Sequence, residues 1–119
     1  MKKASDVVSK YTTEFVLNIE DEEFKLSLGR VDLNFMVTLE EDYNVELEAL
    51  EKLMAKKPAK WATLIAWLLL IEKEVFDNSI ELFRRCLTME SIKTLTEAIQ
   101  KVFKNSMPKN VKAEATKKK

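Results

Sequence analysis

Histidine does not occur in this chain, and 119 residues hold one cysteine, one glycine and two prolines. Each shortage excludes something. Without histidine there is no side chain whose ordinary pKa lies near neutrality, so routine acid–base catalysis has no natural carrier. One cysteine and no histidine cannot supply a tetrahedral zinc site, and a lone glycine cannot build a phosphate-cradling loop. No segment has the alternating oxygen ligands and central glycine of a calcium-binding hand. The solitary Cys86 forbids an internal disulfide framework and suits a reducing compartment. Scarce glycine and proline also remove the turn chemistry that a many-stranded sandwich or barrel requires, so helices are expected to dominate.

Long apolar runs are missing too. The longest, Leu64 to Ile71, falls far short of the roughly 20 residues that span a bilayer, and no apolar run follows the charged start at Met1–Lys10 as a signal peptide would require. A soluble, cytoplasmic domain is the expectation. Net charge is zero, with 20 basic and 20 acidic residues, so no general positive field draws nucleic acid. The charges are nonetheless segregated. Glu14 to Glu51 carries twelve acidic and two basic residues, whereas Arg84 to Lys119 carries ten basic and three acidic. Such a dipole favours head-to-tail self-association or an oriented partner.

What is present is the ordinary material of one folded domain: 46% apolar and 34% charged residues, enough for a single core but not for two. Residues 1–12 are polar and aperiodic and read as a flexible arm. Over Thr13–Ile19 the apolar Phe15, Leu17 and Ile19 alternate with Glu14, Val16 and Asn18, and over Phe24–Leu28 the apolar Phe24, Leu26 and Leu28 flank Lys25 and Ser27. With Glu20–Glu23 between them, these segments predict a hairpin with a loop of about four residues. Such a ribbon is marginal alone in water and must lie on helices. Gly29 follows where the chain must turn. Asp32 is the expected N-cap of a helix with Phe35, Met36, Leu39 and Tyr43 on one face, and Asn44 the expected cap of a second with Leu47, Leu50, Leu53 and Met54.

Pro58 opens the next helix, as proline can at a first helical position. From Pro58 to Phe76 the apolar residues fill roughly 200° of a helical wheel, twice the stripe of a typical surface helix. Leu70 lies on the far side of that wheel beside Thr63 and Glu74. Either this is a central, enclosed helix, or one flank docks a second chain. On the second reading Trp67 and Leu70, with Val37 on the off-core side of its own helix, are the candidate partner-binding residues. Asn78 or Ser79 then starts a short helix with Ile80, Phe83, Cys86 and Leu87. Thr88 caps a last one whose stripe is Ile92, Leu95, Ile99, Val102 and Phe103. The pattern ends at Met107–Pro108, and residues 109–119 form a basic tail too polar to order. The predicted fold is therefore α+β, mostly α: a hairpin packed on about five helices over residues 13–108.

The basic tail has no interleaved aromatic residues to stack on bases, which argues against nucleic acid. The acidic runs read as solvated loops and helix faces rather than paired catalytic carboxylates. No catalytic, cofactor or metal residue is expected, and the chain reads as a non-enzymatic protein-binding domain.

The order of elements carries a resemblance. EFVLNIEDEEFKLSLGRVD as a hairpin, then NFMVTLEEDYNV, a Leu-rich helix, a Trp-containing apolar helix, a short helix and an amphipathic helix ending at SMP together resemble the tail assembly chaperones of long-tailed bacteriophages over Thr13–Pro108. That resemblance implies a protein that binds the tape measure protein, keeps its apolar helices soluble, recruits tail tube protein and self-associates, with no cofactor and no catalytic residue. Met36, Met54, Trp61, Trp67 and Leu70 are broad or adaptable side chains suited to such contacts. The terminal Lys117-Lys118-Lys119 fits a slippery, adenine-rich gene end from which a longer frameshifted form is made, and equally a plain solubilising tail. The competing reading is a small dimeric regulator that binds protein or DNA.

Overall fold

The computed structural model describes residues 12–106, together with Lys3. The arm over residues 4–11, the tail over residues 109–119 and the Met107–Pro108 boundary lie outside the described residues. Two antiparallel strands lead: β1 (Thr13–Ile19) and β2 (Glu22–Leu28). Five α-helices follow among the described residues: α1 (Leu33–Tyr43), α2 (Leu50–Lys56), α3 (Pro58–Leu69), α4 (Ile80–Cys86) and α5 (Met89–Ser106). Single 3-10 turns at Leu47–Ala49 and Lys73–Phe76 complete the path. The expected α+β, mostly helical architecture is the one observed.

The register pairs Phe15 with Leu26 and Leu17 with Phe24, so odd positions of β1 and even positions of β2 share one face. Phe15, Leu17, Leu26 and Leu28 are buried on that face beneath α5, which also packs along α3. α5 presents Leu95, Ile99 and Val102 inward, as its pattern predicts. α3 is the most enclosed helix: all six residues from Trp61 to Ala66 are buried, Thr63 included. The ribbon's need for cover is thus met by α5, whose other flank lies along α3.

Left-handed backbone falls on Glu20, Asp21, Asn44, Asp77 and Asn78, while Gly29 does not use it. The short polar side chains of Asp and Asn, at four of the five positions, hold such geometry at modest cost, which explains how a chain with one glycine still makes these three turns. Glu20 and Asp21, with φ of 50° and 70°, form a two-residue hairpin turn. The four-residue loop expected from the acidic run is corrected accordingly: Glu22 and Glu23 already belong to β2, because positive φ at both central residues matches the twist of the flanking strands. Asn44 likewise closes α1 rather than opening α2. It is left-handed, and its backbone N–H donates to the Leu39 carbonyl. Asp32 caps α1 as expected, accepting from Phe35 N–H at 2.9 Å, and Ser79 caps α4. Thr88 precedes α5 and exchanges bonds with Ser91, whose Oγ accepts from Thr88 N–H at 3.0 Å.

The largest departure concerns the segment expected to run as one helix from Pro58 to Phe76. α3 stops at Leu69, and Leu70 turns to extended backbone at φ −62° and ψ 130°. The chain then runs along the outer edge of β2. Gly29 N–H donates to Leu69 O at 2.8 Å, Ile71 N–H donates to Ser27 O at 3.0 Å, and Leu70 bridges antiparallel to Leu28. Glu72 completes the strip by accepting Ser27 N–H on its Oε1 at 2.7 Å. The backbone groups of β2 that face away from β1 gain partners more rewarding than another turn of helix.

Candidate docking cleft

Where the ends of α1 and α2 meet the faces of α3 and α4, the surface opens into a cleft of about 1220 Å³. Its floor is apolar: Val45, Leu53, Trp61, Leu64 and Ile80. The same lining includes the acidic Glu40, Asp42 and Glu46, from the last turn of α1 and the loop after it, and the basic Lys60 and Arg84. Lys60 Nζ lies 5.1 Å from the centroid of the Trp61 ring, so its charge is held over an aromatic face at the cleft wall.

The acidic rim sits where local stability disfavours it. The C-terminal turn of a helix carries partial negative charge and prefers cations, yet α1 ends Leu39-Glu40-Glu41-Asp42-Tyr43 with no basic residue in its last turn. Among the described residues, no ion pair to Glu40, Asp42 or Glu46 offsets this. Charged side chains of both signs around an apolar lining are what a surface that orients an amphipathic partner needs.

The three residues selected from sequence are scattered by the fold and none lines the cleft. Val37 is 45% exposed on α1, one turn beyond Leu33 at 74%, and these two form a small apolar strip. Trp67 is half-buried, its ring 5.5 Å from that of Phe83 and tilted by 39°, with Phe83 in turn edge-on to Phe76 at 4.9 Å. Lys73 Nζ lies 5.5 Å from the Trp67 ring and donates to the Leu70 carbonyl. Burial of that ammonium lowers the Lys73 pKa below its usual 10.5. Leu70 is only 2% exposed, which corrects its reading as a free apolar flank: the bridge to Leu28 seals it into the core.

The expected core places of Leu53 and Leu64 and the expected solvated face Glu40–Asp42 are those observed, with Leu64 buried, Leu53 half-buried and the three acids exposed. What the pattern did not give is that Leu53, Leu64, Glu40 and Asp42 meet around one cleft. The legible signal was the unopposed acidic run at a helix C-terminus. Among the described residues no group of three or more His, Cys, Asp or Glu side chains could hold a metal ion, and no helix is long and apolar enough to cross a membrane. Compared with protein-family models, curated proteins and solved structures, the chain finds no match in any of the three.

Proposed function

We propose that this protein is a non-enzymatic chaperone for helical segments of a longer partner, of the kind that serves phage tail assembly. On this reading the partner is the tape measure protein, whose apolar helices it keeps soluble in the host cytoplasm while tail tube subunits are recruited. The observation that carries the proposal is the cleft, whose lining joins apolar side chains to acidic and basic ones. The apolar stripe of a partner helix would lie on Trp61, Leu64 and Leu53. Lysines or arginines on its flank would face Glu40, Asp42 and Glu46. The order of elements, hairpin first and amphipathic helix last, supports the same reading.

Co-expression with a long helical tape measure protein tests the proposal. The expected result is that the long protein moves from the insoluble to the soluble fraction and co-purifies. No gain in solubility, with this chain folded and abundant, would overturn it. Replacing Leu53 and Leu64 by serine mixes folding with binding, so the informative variant is the charge reversal of the exposed acidic rim argued below.

A further inference from the structure

The two edges of the hairpin are treated differently. Ser27 directs both its N–H and its carbonyl outward, to Glu72 and Ile71, so Glu14 and Ser27 form a non-hydrogen-bonded pair. Alternation along the ladder gives Val16–Lys25 and Asn18–Glu23 the same character. Glu14, Val16 and Asn18 therefore point their own N–H and carbonyl groups away from β2, along the outer edge of β1. The β2 edge is closed by residues 69–72. Among the described residues nothing pairs with the β1 edge.

Folded proteins blunt an open edge with lysine, proline, a bulge, shortness or a cover. Among the described residues β1 has no lysine, proline, bulge or cover, and its one charged side chain is Glu14. It runs seven residues, Thr-Glu-Phe-Val-Leu-Asn-Ile, with an unbroken one-to-one register and Val16 left 42% exposed. An edge of this kind is a template, and its residues specify the strand that fits it.

We infer that β1 pairs antiparallel with β1 of a second copy of this chain, about a two-fold axis at Val16, joining two hairpins into one four-stranded sheet. The register follows from the residues. Centring on Val16 is the one arrangement that pairs all seven residues of each strand, and it sets each Glu14 carboxylate opposite the Asn18 carboxamide of the other copy. Centring on Glu14 would oppose two carboxylates, and centring on Asn18 would set Glu14 against Glu22. The Val16-centred pairing forms about six backbone hydrogen bonds, places a β-branched pair at the axis, and sets Phe15 beside Leu17 of the other copy on the inner face. The inference is independent of the cleft, which lies on other elements.

Disulfide trapping in the full chain carrying Cys86→Ser tests it. Cα atoms of a hydrogen-bonded antiparallel pair lie about 5.5 Å apart, within disulfide range. Val16→Cys is therefore expected to form a covalent dimer on mild oxidation. Glu14→Cys alone is not, because its two copies stand about 14 Å apart. Mixing Glu14→Cys with Asn18→Cys chains restores crosslinking. Sedimentation of the unmodified chain should show a concentration-dependent dimer, and Val16→Lys should raise its dissociation constant about tenfold or more by opposing two ammonium groups at the axis. A chain monomeric at every concentration, or Glu14→Cys crosslinking as fast as Val16→Cys, overturns the inference. Circular dichroism of each variant separates lost pairing from lost folding.

Discussion

Leu70 stands opposite Leu28 in an antiparallel bridge at the mouth of α3, and both side chains are sealed in the core. That contact ends a helix which nothing in the local sequence would end. Leu70→Ala deletes buried methyl groups and leaves a cavity, at an expected cost of about 3 kcal/mol. Leu70→Lys should cost more, since its ammonium has no route to water without breaking the bridge. Urea denaturation measures both. A Leu70→Lys variant as stable as the parent would mean that Leu70 faces solvent.

Much of the fold was legible because local patterns and tertiary demands agree. The alternation of Phe15, Leu17, Leu26 and Leu28, the stripe of α5, the Asp32 cap and proline at the start of α3 each have a local cause that the whole fold reinforces. The run Trp67-Leu68-Leu69-Leu70-Ile71 was misread because a continuous apolar stretch looks alike as helix or buried strand. Its resolution depends on the unfilled hydrogen-bonding edge of β2, some forty residues earlier in the chain. The cleft was illegible for a different reason: its floor residues obey core spacing, Val45, Trp61 and Leu64 are indeed buried, and only three-dimensional packing leaves Leu53 and Ile80 half-buried beside them.

Glu72 accepts the Ser27 N–H at 2.7 Å, extending the strip beyond the reach of backbone bonds. Removing the carboxylate leaves that N–H unpaired in a half-buried place, so Glu72→Ala should cost about 1–2 kcal/mol. Glu72→Gln keeps an acceptor oxygen and should lose less than half as much. Equal losses in thermal or urea unfolding would show that the charge, not the acceptor, matters.

Turn chemistry offers a gain. Glu20 and Asp21 occupy left-handed backbone that asparagine and glycine adopt more cheaply, so the double variant Glu20→Asn, Asp21→Gly should stabilise the chain by about 1 kcal/mol. Gly29, conversely, has no positive φ, and a Cβ there would meet Leu69 O at 3.6 Å, an ordinary contact. Gly29→Ala should therefore raise stability by about 0.5 kcal/mol through a less flexible unfolded chain. A loss above 1 kcal/mol in either variant would contradict the turn geometry.

Lys73 makes stability depend on alkaline pH. Desolvation lowers its pKa in the folded chain, so the folded state bears a cost for holding the ammonium that the unfolded state does not. Between the lowered folded value and the 10.5 of the unfolded chain, the unfolded state holds the extra proton, and stability rises with pH. Lys73→Met lacks that proton. The difference in urea midpoint between the parent and Lys73→Met should therefore shift in favour of the parent as pH climbs toward 10.5, and a flat or opposite trend would refute it.

The charge asymmetry of the cleft separates docking from folding. Glu40 and Asp42 sit in the last turn of α1, where cations are preferred, and Glu46 follows in the loop. All three side chains are exposed. Reversing them together, Glu40→Lys, Asp42→Lys and Glu46→Lys, should leave folding stability unchanged or raise it by about 0.5 kcal/mol through the helix dipole. If these acids orient a basic helix, the same triple variant should abolish solubilisation of the co-expressed partner, and parental binding should weaken as salt rises. A surface kept acidic only for solubility predicts the reverse pairing of results: binding retained, with no salt dependence. The two outcomes are read from one purified complex by co-elution at low and high salt, because the variant's own unfolding curve establishes beforehand that the scaffold is intact.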